Sequence, residues 1–208
     1  MTARAPTINL VDDDQAVLKA LGRLLRSAGY RVKTFSCPEA FLSGYDPAAA
    51  GCLLLDLSMP GMNGVELQRL LNDAGAPPPI IFLTGQADIP AAVRAIKDGA
   101  VEFLTKPVAD ETLFAAIREA LDKDAKDRLT HAELTLIKRR IASLTPRELE
   151  VLKHVAANKL NKQIAADLGT VEKTIKVHRA RVMKKMQAKS LVELVRLAER
   201  AGLVPVSD

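Results

Sequence analysis

The chain has 208 residues, 48% of them hydrophobic and 26% charged, with a mean hydropathy of +0.05. That balance excludes a disordered or membranous chain, and the most apolar run, around Cys52 to Leu55, is far too short to cross a bilayer. Charge is uneven: the net is −3 over 1–121, +2 over 122–143 and +6 over 144–208, so only the last segment looks built for a polyanion. The length suits two compact domains. Met1 to Leu10 lacks the apolar core of a signal peptide, which makes the cytoplasm the expected compartment. Cys37 and Cys52 fall in no C-x-x-C pattern and read as reduced core residues.

In chain order, Thr7–Val11, Arg31–Phe35, Cys52–Asp56, Ile80–Thr84 and Val101–Leu104 read as strands. Helix-spaced stretches such as Val17, Leu21, Leu24 and Ala28 lie between them, giving an α/β pattern of five strands and five helices over 1–121. Gly29, Gly75 and Gly99 end helices where a positive φ is needed. Pro77, Pro78 and Pro79 form a stiff connector into the fourth strand. From 122 to 143 a charged helical linker is expected, with Leu129 and Leu136, then Leu134 and Ile141, each seven apart. That spacing fits both a short dimeric coiled coil and packing on a neighbouring domain. Beyond Leu144 four helices follow with no strand between them: Pro146–Ala157, Lys162–Leu168, Val171–Met186 and Leu191–Ala201.

In an open parallel sheet, ligands sit beyond the carboxyl ends of the strands, near the point where strand order reverses. Asp12 and Asp13 follow the first strand, Asp56 ends the third, Thr84 ends the fourth and Lys106 follows the fifth. Three carboxylates gathered on one rim repel one another unless a hard divalent cation sits among them, so magnesium is the implied cofactor. An aspartate there can attack a phosphoryl group and form an acyl phosphate, provided a metal and a lysine neutralise the transferring oxygens. Asp14 and Asp110 read as helix caps instead.

The motifs Val11-Asp12-Asp13, Leu55-Asp56-Leu57-Ser58-Met59-Pro60-Gly61-Met62-Asn63-Gly64, Thr84-Gly85 and Lys106-Pro107 resemble a receiver domain over residues 6 to about 121. The resemblance implies a flavodoxin-like (CheY-like) five-stranded parallel-sheet fold, with Asp56 as phosphoacceptor. It implies magnesium at Asp12, Asp13, Asp56 and the Ser58 carbonyl, Lys106 and Thr84 on the phosphoryl group, and Phe103 as the aromatic switch. The segment Thr84 to Pro90 is similar to the FixJ subgroup, which usually has histidine where Gln86 stands. In that family the switching face is the fourth helix, fifth strand and fifth helix, here about Ala91 to Leu121, and it often makes a homodimer; the charges of Lys97, Asp98, Arg118 and Glu119 there fit both pairing across such a dimer and a solvated surface.

In the C-terminal segment, Thr145 followed by Pro146 and Glu148 starts a helix, and Gly169 sits in the turn between two more. On the third of these helices Val171, Ile175, Val182 and Met186 form an inward stripe. The other side carries Lys173, Val177, Ala180, Arg181 and Lys184, flanked by Lys176, and suits the major groove. Seven lysines and arginines and no acid fall between Lys173 and Lys189. Leu144-Thr145-Pro146-Arg147-Glu148, Asn161-Lys162-Gln163-Ile164-Ala165 and Thr174-Ile175-Lys176-Val177-His178 resemble a LuxR-type helix-turn-helix, departing from it at Gly169-Thr170. That resemblance implies DNA contacts from Lys176, Val177 and His178, with Thr174 and Arg179 beside them. It also implies a dimer helix at Leu191, Leu194, Val195 and Ala198.

The reading is thus an α/β receiver (1–121), a helical linker (122–143) and an all-α DNA-binding domain (144–208) of the NarL/FixJ type. The implied partners are a sensor histidine kinase, double-stranded DNA, RNA polymerase and a second copy of the chain, with no membrane. No enzyme activity on an external substrate is expected: an aspartyl-phosphate phosphatase needs an acid two residues after its nucleophile, where Ser58 stands. An RNA-binding regulator fits poorly with so few aromatics for base stacking.

Overall fold

A computed structural model of the chain describes residues 5–75, 77–85 and 89–203. Five strands, β1 (Thr7–Val11), β2 (Arg31–Phe35), β3 (Gly51–Asp56), β4 (Ile80–Thr84) and β5 (Glu102–Thr105), form one parallel sheet in the order β2-β1-β3-β4-β5. Order reverses at β1, so the ligand crevice of such a sheet opens between the carboxyl ends of β1 and β3. Register then matters at single-residue level. Val11 lies beside Leu55, which sets Asp12 next to Asp56 on adjacent strands; Thr84 lies beside Thr105, which brings Lys106 to the same rim.

Because crossovers cover both sheet faces, the central strands are apolar throughout rather than alternating. Leu53 and Leu55 of β3 and Phe82 of β4 pack on one face, under α2 (Pro38–Gly44), α3 (Gly64–Asp73) and α4 (Ile89–Lys97). Cys52, Leu54, Ile81 and Leu83 pack on the other, under α1 (Gln15–Ser27) and α5 (Asp110–Ala142), which contributes Leu113, Ala116, Ile117 and Ala120. Burial pushes the Cys52 thiol up to about 12, and nearby Asp124 adds to the effect, so Cys52 is an inert core residue. Asp14 caps α1 as expected, accepting from the Ala16 N–H at 2.7 Å. Asp110 instead is the first helical residue of α5, where a negative charge suits the helix dipole.

Two glycines are fixed by close approach. A Cβ on Gly51 (φ +155°) would lie 1.9 Å from the Thr7 carbonyl oxygen. A Cβ on Gly64 would lie 2.4 Å from the Asp56 carbonyl oxygen, because α3 starts against the backbone of Asp56. The Gly51 N–H donates to Asp124 Oδ2 at 2.9 Å, and Asp124 is buried. Packing of the receiver therefore reaches three residues past 121, the limit expected from sequence.

The chain divides into two compact units, Met1–Asp127 and Arg128–Asp208. The linker expected at 122–143 is not a separate element: its residues 122–142 are the second part of α5. In the second unit, α6 (Pro146–Ala156), α7 (Asn161–Asp167), α8 (Glu172–Met186) and α9 (Leu191–Arg200) pack around Val151, Leu152, Ile164, Ile175, Val182, Met186 and Leu194. Ile137 and Ile141, from the end of α5, join this core. Ile141 is thus consumed by packing, whereas Leu129 and Leu136 stay 68% and 48% exposed. Val171, expected on the inward stripe, is 65% exposed because it sits at the N-cap of α8, before the helical phase is established.

Glu148 ties this unit together. It closes a capping box with Thr145 and accepts from Lys185 Nζ at 2.6 Å, while Lys185 also donates to the Ser143 carbonyl at 3.0 Å. The Lys185 hydrogen bond first, then the Thr145 N–H, hold the Glu148 carboxyl at about 2. A depressed carboxyl stabilises the fold fully above its ordinary value of 4.5, and that contribution disappears as pH falls through about 2. We expect Glu148→Gln to cost about 1–3 kcal/mol at neutral pH. In urea titrations the wild type should lose more stability than the variant on acidification from about pH 6 to about pH 3. A second expectation concerns Gly64: Gly64→Ala should destabilise the receiver by about 1–3 kcal/mol, read as a lower urea midpoint.

Candidate functional site

At the carboxyl rim of the sheet, Asp12 (1% exposed), Asp56 (5%) and Thr84 (1%) are buried polar residues. Lys106 Nζ lies 2.5 Å from Asp12 Oδ2 and 2.5 Å from Asp56 Oδ1, so one ammonium bridges two carboxylates. The remaining carboxylate oxygens are also held: Asp12 Oδ1 accepts from the Asp14 N–H at 2.9 Å and Asp56 Oδ2 from the Ser58 N–H at 2.8 Å. Burial raises the Asp12 pKa, opposed by its hydrogen bonds to Lys106 and Asp14. For Lys106, burial works against the charge, but hydrogen bonds to Asp12 and Asp56 outweigh it and raise the pKa. The Lys106 main chain is fixed as well, its N–H donating to the Thr84 carbonyl at 2.7 Å.

The rim brings Asp12, Asp56, Thr84 and Lys106 together. Asp13 and Ser58 are exposed, and among the described residues no group of three acid, histidine or cysteine side chains is arranged to hold a metal. Of the three carboxylates expected from sequence, Asp12 and Asp56 converge on one cation while Asp13 is exposed. Asp12 and Asp56 both approach one point cation, Lys106 Nζ, and offer oxygen alone, a donor chemistry that fits a hard divalent ion. Phe103 is half-buried, its ring 6.1 Å from that of Phe82. Gln86, singled out from sequence, lies outside the described residues. On the adjoining face Val93 and Ile96 are 48% and 44% exposed. Lys97, Asp98, Arg118 and Glu119 are exposed there too.

On α8, Lys173, Lys176, Val177, Ala180, Arg181 and Lys184 are exposed along one side, over the buried Ile175, Val182 and Met186. Lys176 reaches Glu172 at 3.3 Å, an exposed pair that yields readily to a phosphate. Two of the seven basic residues are engaged inside the domain. Lys185 serves Glu148, and Arg179, expected at DNA, is half-buried and donates to Asn161 Oδ1 at 2.5 Å, fixing α7 against α8. Thr174 and His178 are half-buried, and His178 Nδ1 is buried without a hydrogen-bond partner. In α9, Leu194 (2%) and Ala198 (0%) point into the domain's own core, which corrects their expected place on a dimer surface; Leu191 (43%) and Val192 (62%) are the exposed apolar side chains, with Val195 half-buried.

Sequence reasoning missed the supports. Arg140, in the last turn of α5, donates to the Met186 carbonyl at 3.1 Å and to Gln187 Oε1 at 2.6 Å, holding the C-terminus of α8 where Gln187 turns left-handed (φ +54°). Arg147 donates to the Leu168 carbonyl in the turn between α7 and α8. Neither contact is visible in the sequence, since the partners lie 46 and 21 residues away.

Comparison with known proteins agrees with this geometry. Residues 8–118 match the response regulator receiver domain, and residues 142–198 match the luxR family of bacterial regulatory proteins. The response regulator protein TodT of Pseudomonas putida is 46% identical over 200 residues, covering 96% of this chain and 88% of TodT. The transcriptional regulatory protein FixJ of Rhizobium meliloti is 42% identical over 199 residues, covering 96% and 98%. Among solved structures, the response regulator StyR superposes with a TM-score of 0.82 at 44% identity, covering 95% of this chain and all of StyR. Full-length FixJ from B. japonicum gives 0.58 at 43% identity, covering 96% and 98%. A receiver rim at one end and a luxR-type helix-turn-helix at the other make this chain a two-component response regulator of the NarL/FixJ type, a regulator of transcription.

Proposed function

We propose that Asp56 receives a phosphoryl group from the phosphohistidine of a sensor kinase, and that this drives two copies of the chain together on DNA. The observation that carries the reading is the Lys106 ammonium bridging Asp12 and Asp56 at the strand-order switch point. An Asp56 oxygen attacks phosphorus, the P–N bond to the kinase imidazole breaks, and the imidazole leaves with the electron pair. Lys106 follows the transferred oxygens and neutralises part of their charge. Magnesium, held by Asp12 and Asp56 with Asp13 and the Ser58 carbonyl completing its shell, would supply further charge neutralisation. The Thr84 hydroxyl then hydrogen-bonds the phosphoryl group, and Phe103 turns inward beside Phe82. The chain acts on no external substrate and loses its phosphoryl group by slow self-hydrolysis.

The change in α4, β5 and the first part of α5 favours a homodimer, for which the exposed Val93 and Ile96 offer apolar area. In the DNA-binding unit, α8 enters the major groove with Lys173, Lys176, Val177, Arg181 and Lys184 toward bases and phosphates, and His178 Nε2 toward a phosphate. Leu191 and Val195 of α9 contribute to the dimer. The bound dimer would act on RNA polymerase in the cytoplasm. None of the described helices is long and apolar enough to cross a membrane.

A small phosphodonor with magnesium should label the wild type and leave Asp56→Asn unlabelled, read by phosphate-affinity electrophoresis; equal labelling of both removes the claim. Lys176→Ala should weaken binding to a cognate duplex and reduce the salt slope of log K by about one unit, read by fluorescence anisotropy across a salt series.

A further inference from the structure

We propose that the outer stripe of α5 is a seam on which two copies of this chain pair, helix beside parallel helix. At 3.6 residues per turn, Ala125, Leu129, Ala132 and Leu136 fall within a sector of roughly 60°. All four are exposed, Leu129 at 68% and Leu136 at 48%. The inner side of the same helix is occupied: Ile137 is 3% exposed and Ile141 packs on the helical core of the DNA-binding unit. Leucines seven residues apart with alanine between them are the pattern of a two-stranded seam, in which the alanines let the helix axes come close.

The charges beside the stripe select the partner. Arg128 and Glu133 flank it on opposite sides and are five residues apart, the offset at which a side chain on one helix meets its counterpart across a parallel two-stranded seam. Arg128 of each copy then faces Glu133 of the other, and two-fold symmetry makes the pair twice. Glu133 already meets Arg200 of its own chain at 2.6 Å, but both groups are about half exposed, so that contact exchanges or is shared without loss. The seam is bounded by charge: Asp122 precedes it and Arg139 follows it at positions that would face their own copies. Four layers are too few for a permanent coiled coil, so the pairing is conditional on another association holding the copies together. This proposal rests on the dimerisation reading above and names a surface within it.

The test uses the full chain with Cys37→Ser, Cys52 being fully buried and left in place. Leu129→Cys is compared with Lys138→Cys, which is exposed on the far side of the helix. After treatment with a small phosphodonor and magnesium, mild oxidation should give a disulfide-linked dimer at least tenfold faster through position 129 than through 138. Equal rates overturn the seam. In parallel, the Leu129→Glu, Leu136→Glu double variant should label at Asp56 at the wild-type rate yet show at least a tenfold weaker dimer by sedimentation. A labelled double variant that dimerises as well as wild type overturns the seam and leaves phosphorylation-driven dimerisation intact. A labelled wild type that stays monomeric overturns that dimerisation reading, and the seam with it.

Discussion

The Lys106 ammonium between Asp12 and Asp56 is the interaction on which the receiver rim depends. Two carboxylates buried at the ends of adjacent strands repel each other, and the ammonium shared between them offsets that repulsion. Its position is set by three separate parts of the chain. The β1–β3 register aligns the acids, the β4–β5 register and the Thr84 carbonyl locate the lysine, and Gly64 lets α3 close against the Asp56 backbone. A charge balance held this tightly is sensitive to any added charge. On the proposed reading, a phosphoryl group on Asp56 would bring roughly two negative charges, more than a single lysine offsets, so its arrival would have to be answered by neighbouring groups. Thr84 and Phe103 stand in that path.

The second unit follows a similar logic with a different aim. Its α8 is exposed and cationic on one side, and a helix of that composition gains little from its own surface. What fixes it is the Glu148–Lys185–Ser143 network, the Arg179–Asn161 bond and the Arg140 clamp at its C-terminus. These contacts hold a positively charged helix at a defined angle, which on the proposed reading reduces the ordering cost of binding DNA.

Much of the fold was legible because it depends on local periodicity. Three of the five strands match their expected residues, β3 starts one residue earlier, at Gly51, and β5 is shifted by one. The rim residues were legible because strand ends converge in any open parallel sheet. Long-range partnerships were not. Arg140 to Met186, Asp124 to Gly51 and Lys185 to Glu148 join residues tens of positions apart, and nothing in their neighbours marks them. The errors on the C-terminal helices have one physical origin. A helical wheel ignores where the helix starts and which neighbour covers it, so Val171 falls outside the core while Leu194 and Ala198 fall inside it. The seven-residue spacings in the second part of α5 were ambiguous for the same reason: Ile141 is consumed by packing, and Leu129 is not.

The bond between Asp124 and Gly51 has a practical corollary for anyone dividing this chain. Residue 118, where the receiver match ends, looks like a natural place to cut. A fragment stopped there would lose the side chain that accepts from the Gly51 N–H, in a strand whose six residues are all buried. Such a fragment would expose the first residue of β3 to water and fray the central strand that carries Asp56 at its other end. A receiver fragment meant to stand for the intact domain should therefore keep α5 at least through Asp124.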